Sequence, residues 1–177
     1  RLERLVRDVL ELGRRDRASP EPIRLAGFLE SFLEEMAMHE QTDRTLFALK
    51  AGADTTLLFD RTHLNQVMWN LLSNAKRYCS GRPGAVRIET AELPSSSGRV
   101  ELHIIDDGAG VGEEAGGKIF EPFFTTHSKG TGLGLYIARE LCEANDAVLE
   151  WVGNEPGAHF RIVGRNQQWR ENRNAGQ

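Results

Sequence analysis

Three glycines at alternate positions, Gly130, Gly132 and Gly134, lead straight into an amphipathic helical run from Tyr136 to Asn145. No other stretch constrains the fold as much, because a glycine loop that opens a helix has few uses. Glycine lets the backbone come close to a ligand and adopt φ > 0, and the helix start offers unpaired N–H groups and a favourable dipole end to an anion. A dinucleotide-binding G-x-G-x-x-G would need glycine where Leu135 stands, and a P-loop would need G-x-x-x-x-G-K-[ST]. On these residues alone, two readings stay open: a phosphate-facing loop, or a flexible linker entering a helix.

The 177 residues suffice for one well-buried core, and we take them as one domain with appendages. A net charge of -4 lacks the basic excess of a nucleic-acid binder, so no direct nucleic-acid partner is expected. No apolar run approaches the ~20 residues of a membrane helix. Cys79 and Cys142 stand far apart without a C-x-x-C pattern, which argues against a zinc site and requires no disulfide.

Leu2, Leu5, Val9 and Leu12, with Val6 and Leu10 beside them, form a helical seam that stops at Gly13. It is either the end of a longer helix or a short helix packed on its own domain. Residues 14–22 are charged, contain two prolines and read as a linker. From Ile23, the positions Leu25, Phe28, Leu29, Phe32, Leu33 and Met36 follow the helical rule. Leu46 to Lys50 and Thr55 to Phe59 read as two strands around a turn.

Asp60 can cap a helix running from Arg61 to Cys79. Leu64, Met68, Leu71, Leu72 and Ala75 gather on one side of it, and Gln66, Asn70, Asn74 and Arg77 on the other, with Tyr78 at the border. A stripe of amides is an unusual solvent face, where Lys and Glu form helix better; it suggests a ligand, with an ordinary solvated helix surface as the other reading. Val86 to Thr90 and Val100 to Ile104 alternate with period two and should pair antiparallel, the second ending in Asp106-x-Gly108-x-Gly110. Ile119 to Phe124 is an apolar knot expected to anchor its neighbouring loops. In the helix after the glycines, Leu135, Ala138, Leu141 and Cys142 form the expected buried side, with Asn145 as its cap. Val148 to Val152 and His159 to Val163 make a closing hairpin, and residues 165–177 are polar, without periodicity, and expected to be disordered.

Four pieces stand in order: Asn70-x-x-x-Asn74-x-x-Arg77-Tyr78, Asp106-x-Gly108-x-Gly110, Phe120-x-x-Phe123-Phe124 and Gly130-x-Gly132-x-Gly134. In that order they resemble the N, first-glycine, F and second-glycine boxes of the histidine-kinase branch of the GHKL ATPase superfamily. The wording from Phe120 to Leu141 is most similar to the type IV pilus and nitrogen-regulatory sensor kinases. The resemblance implies an α/β fold, the two-layer Bergerat sandwich, in which a mixed sheet packs on three helices. It divides the chain into the end of a dimerisation helix (1–13), a linker (14–22), a catalytic ATP-binding domain (23–164) and a tail (165–177).

What the resemblance implies for the site is specific. ATP and Mg²⁺ are the cofactors. Asn74 would offer its oxygen to the metal, Asn70 would hold a water of its shell or a phosphate oxygen, and Arg77, where related kinases often have lysine, would neutralise phosphate charge; these three form the catalytic set. Tyr78 would lie against adenine or ribose, and Asp106 would accept from adenine's exocyclic amine. Gly108 and Gly110 would let the backbone approach. Phe120 and Phe123 would flank the nucleotide, and Lys129, Gly130, Thr131, Gly132, Leu133, Gly134 and Leu135 would wrap the phosphates, with 125–130 acting as a lid. Hydrolytic relatives carry glutamate four residues before the metal asparagine; Asn70 stands there instead, and an amide is no general base. The phosphoacceptor histidine setting of sensor kinases is absent: His39, His63, His103, His127 and His159 all lack it. The expectation is therefore a cytoplasmic kinase domain of a membrane-bound sensor, serving a histidine on its own dimerisation domain and then a response regulator, and inactive in autophosphorylation alone. A serine kinase of anti-sigma type, or a nucleotide-binding module without catalysis, are the alternatives.

Overall fold

Five strands form one mixed sheet whose apolar face is covered by three helices. The computed structural model describes residues 18–94, 97–126 and 130–167, together with Val6, Leu10 and Gly13. In chain order the elements are β1 (Glu21–Arg24), α1 (Leu25–His39), β2 (Phe47–Lys50), β3 (Thr56–Phe59), α2 (Arg61–Tyr78), β4 (Val86–Glu92), β5 (Arg99–Asp106), the single turn α3 (Glu113–Gly116), α4 (Gly134–Ala144), β6 (Val148–Asn154) and β7 (Ala158–Arg165). The large sheet has the order β2-β4-β5-β7-β6, and β1 pairs with β3 in a separate two-stranded ribbon. Only β2 and β4 run parallel; the other ladders are antiparallel.

The alternation that marks β4, β5 and β7 as strands also decides which face meets the helices. Val86, Ile88, Val100, Leu102, Ile104, Phe160 and Ile162 point into the core, where they meet Leu29, Leu33, Leu64, Met68, Leu72, Ile137 and Leu141. Each such side chain contributes about 1.5–3 kcal/mol of burial free energy. The outer face carries Glu101, His103, Glu150, His159 and Arg161, cross-linked by ion pairs such as Arg161 with Glu150 (2.6 Å). A sheet solvated on one side takes this pattern.

α2 and α4 are tied together at the end away from the glycine run. Asp60 caps α2 by accepting from the His63 N–H (3.0 Å). The Asp60 N–H in turn donates to Asn145 Oδ1 (2.7 Å), while Asn145 Nδ2 donates to the Leu141 carbonyl (2.7 Å) and faces His63 Nδ1 (3.0 Å). Asn145 is therefore the cap expected at the end of α4, and it is buried with its polar atoms satisfied.

Several local expectations give way to tertiary pairing. Glu21–Arg24 is a strand, so the segment expected to be linker through residue 22 already belongs to the fold, and α1 begins at Leu25. β2 and β3 do not form a hairpin: β2 pairs with β4 and β3 with β1. On α4 the core face is Ile137, Ala138, Leu141 and Cys142, with Leu135 half-buried. β7 extends to Arg165, one residue past the expected boundary. Of the N-terminal seam, Val6 and Leu10 are helical and exposed, while Leu2, Leu5, Val9 and Leu12, like residues 168–177, lie outside the described residues. No described helix is long and apolar enough to cross a membrane.

Candidate functional site

α2 presents its amide stripe to a cavity of about 610 Å³ lined by Gln66, Asn70, Asn74, Arg77 and Tyr78. The helix period puts them there, since Leu64, Val67, Met68, Leu71, Leu72 and Ala75 bury the opposite side. Asn70 Oδ1 accepts from Gln66 Nε2 at 3.4 Å, whereas Asn70 Nδ2 is buried without a partner among the described residues. Leaving a buried polar group unpaired costs about 1–3 kcal/mol, so the Nδ2 donor is one that an acceptor in the cavity would satisfy.

Asp106, the last residue of β5, lines the same cavity and is only 4% exposed. Its Oδ1 accepts from the Gly108 N–H (2.9 Å) and the Ala158 N–H (3.2 Å). Burial pushes its carboxyl above the usual range, partly opposed by these two bonds. Gly110 lines the cavity, while Gly108 stands behind Asp106, so close to the Tyr78 carbonyl that a Cβ would collide with it. The walls here are apolar: Ala115, Ile119, Ala158 and Phe160. One carboxyl acceptor in an apolar recess suits a flat heterocycle with a single amine at its edge.

The glycine run also lines the cavity, through Gly130, Thr131, Gly132, Gly134 and Leu135, with Gly134 next to Asn70. Gly132 has φ +72°, and a Cβ there would overlap the Phe123 backbone; the run and the aromatic knot pack main chain on main chain. Leu133 is 2% exposed and anchors the run in the core. Lys129 and His127, both within the segment 125–130 expected to act as a lid, lie outside the described residues. The knot divides its aromatics. Phe120 packs edge-on against Phe160 (6.2 Å) with the Arg139 guanidinium over its ring, so it supports the wall from behind. Phe123 is 67% exposed, and Phe124 is the knot residue that lines the cavity.

The structure also brings in residues that the sequence did not mark. Glu35, His39 and Glu40 from the end of α1, with Trp69 and Ser73 of α2, extend the cavity beyond the amide stripe. Trp69 is held edge-on between Phe32 (5.5 Å) and His39 (5.3 Å). Asn154 and Gly157, in and beside the β6–β7 turn, contact the Asp106–Val111 segment. Their sequence signals, a helix end and a turn, are common to any fold.

An α/β sandwich that places an amide stripe, a buried carboxylate and a glycine run around one cavity defines a nucleotide-binding class. Residues 59–166 match the model of the family described as Histidine kinase-, DNA gyrase B-, and HSP90-like ATPase. The chain belongs to that family. It is 41% identical over 167 residues to the sensor protein kinase PilS of Pseudomonas aeruginosa, covering 92% of this chain and 31% of that protein. It is 33% identical over 114 residues to a putative sensor histidine kinase NtrY-like of Rickettsia felis, covering 64% of this chain and 19% of that one. Both fall in the pilus and nitrogen-regulatory sensor group. Among solved structures, full-length ShkA in complex with AMPPNP is similar with a TM-score of 0.71 and 27% identity, over 92% of this chain and 35% of that one. The catalytic domain of histidine kinase ThkA gives a TM-score of 0.68 at 25% identity, over 85% of this chain and 98% of that one.

Proposed function

We propose that this chain is the ATP-binding catalytic domain of a two-component sensor histidine kinase, which presents the γ-phosphoryl of Mg-ATP to a histidine on a separate dimerisation region for relay to a response regulator. The observation that carries this is that Asp106, the Asn70–Asn74–Arg77 stripe and the glycine run all line one cavity. As a carboxylate, Asp106 accepts from adenine's amine and rejects the carbonyl oxygen that guanine has there. Tyr78, 47% exposed at the rim, covers the ribose side. The glycine run brings main-chain N–H groups to the phosphates, and the start of α4 adds its dipole.

Magnesium takes oxygen ligands and keeps several waters. Asn74, on the cavity lining, supplies a carboxamide oxygen of that kind, and Asn70, one helical turn earlier with a buried Nδ2 donor unpaired among the described residues, would hold a phosphate oxygen or a water of the metal's shell. The metal, when bound, supplies charge neutralisation of the phosphate oxygens. Arg77 adds a fixed cation beside them. No residue of the stripe can deprotonate water, which supports transfer to a protein nucleophile over hydrolysis.

Calorimetry and a phosphate-release assay on the 177-residue chain test this reading. The expected result is Mg²⁺-dependent ATP binding with turnover far below the ~1–10³ s⁻¹ typical of enzymes. Turnover within that range would make the chain a hydrolase, and no binding would remove the nucleotide from the account.

A further inference from the structure

The Asp106–Val111 segment is gripped at both ends by a turn more than 40 residues away in sequence. At the Asp106 end, the two N–H groups of Gly108 and Ala158 both donate to Oδ1. Among the described residues Oδ2 has no partner, so it is the oxygen left for the cavity. Gly157 seals this arrangement from behind. It is buried, and a Cβ there would fall onto Asp106 Oδ1, within 2.5 Å of the Gly108 nitrogen and 2.6 Å of the Asp106 carbonyl oxygen. Its φ lies outside the left-handed region, so space alone requires glycine.

At the Val111 end, Asn154 makes a two-bond clasp. Its Oδ1 accepts from the Val111 N–H (2.8 Å) and its Nδ2 donates to the Val111 carbonyl (2.7 Å). Asn154 is exposed, so nothing about burial demands these bonds. Gly110, between the two ends, has φ +76° and no room for a Cβ beside the Asn154 carboxamide.

We propose that Asn154 and Gly157 are positioning residues for purine selectivity: the β6–β7 turn locks Asp106 so that one fixed acceptor, Oδ2, meets the base. This rests on the nucleotide reading above and extends it. A carboxylate is acceptor-only however it turns, so a mobile Asp106 would still not bind a 6-oxo purine, but it would swing away from the adenine amine and lose the affinity that sets ATP apart. With Oδ1 saturated and Gly157 filling the space behind it, neither rotation nor retreat is open. Discrimination then comes from a site built to hydrogen-bond an amine, which rejects analogues that lack it.

The test compares ATP, GTP and inosine triphosphate by calorimetry on the 177-residue chain carrying Gly157→Ala, Asn154→Ala or Asn154→Asp, with thermal midpoints recorded alongside. Wild type should prefer ATP. Gly157→Ala should weaken ATP about tenfold, the order of one lost charge-assisted hydrogen bond, while the two 6-oxo nucleotides change little, so the selectivity ratio narrows. Asn154→Ala should narrow it in the same direction; Asn154→Asp, which keeps the acceptor for the Val111 N–H, should do so less. A purely structural role would weaken all three nucleotides alike and leave the ratio untouched. Should Gly157→Ala not fold, Asn154→Ala at its exposed position decides the matter. Folded variants with the wild-type ratio would overturn the positioning role alone. A wild type without preference for ATP would overturn the adenine reading itself, and the positioning role with it.

Discussion

Replacing Asp106 by asparagine changes one atom facing the cavity and little else. The remaining Oδ1 can keep both backbone bonds, from Gly108 and Ala158, and the side chain keeps its shape in a site that is 4% exposed. The acceptor toward the base becomes an NH₂ group, which meets the adenine amine donor to donor. A hydrogen bond to a charged partner contributes about 1.5–3 kcal/mol, which corresponds to roughly 10- to 150-fold weaker ATP binding at 25 °C. The unliganded protein should behave in the opposite way. Burial raises the Asp106 carboxyl above its unfolded value, so ionisation opposes folding, and stability falls as pH rises through the window above the usual carboxylate pKa. Asparagine removes that cost, so the variant should be at least as stable as wild type at neutral pH. Calorimetric titration with Mg-ATP and a thermal melt without nucleotide measure the two effects. Unchanged affinity would place the base elsewhere, and a loss of affinity matched by a lower melting temperature would reduce Asp106 to a structural residue.

The same residue predicts a pH dependence: ATP affinity should drop as pH falls toward the raised pKa of Asp106, beginning above the ordinary carboxylate range, and Asp106→Asn should lack that component. If Asn74 supplies an oxygen to magnesium, Asn74→Ala should remove most of the Mg²⁺-dependent gain in ATP affinity; titrations with and without the metal check this, and an undiminished gain would return Asn74 to the ordinary polar helix surface. Burial pushes the Cys142 thiol far up, whereas Cys79 is half-buried at the end of α2. A thiol reagent should therefore label Cys79 in the folded protein and Cys142 only on unfolding. Rapid labelling of both would show that α4 does not bury its core face.

Much of the site was legible because its groups lie on periodic elements. The amides of α2 fall at helical spacing opposite a clean apolar face, and Asp106 follows a strand whose alternation is regular; local sequence fixes which way such side chains point. The partner of a strand is not local information. Leu46 to Lys50 and Thr55 to Phe59 look like a hairpin in sequence, yet each pairs elsewhere, because β1, hidden in four residues at the end of a proline-bearing segment, takes β3 as its neighbour. Ile137, outside the expected buried side, takes the core place expected of Leu135, because α4 starts at Gly134 and the buried face is fixed by α2 and the sheet. The clasp of Asn154 and the clearance behind Gly157 depend on contacts spanning 43 residues or more, and a turn offers no periodic mark of what it touches.

The central claim is that ATP held here is delivered to a histidine. It is tested most directly by joining the chain to its dimerisation region in the complete kinase, supplying ATP labelled at the γ-phosphorus, and measuring the stability of the protein-bound label. The account predicts an acid-labile phosphoryl group on a histidine of the dimerisation region, lost with Asn74→Ala or Asp106→Asn. An acid-stable label on serine, or bound ATP with no protein-bound label at all, would contradict it.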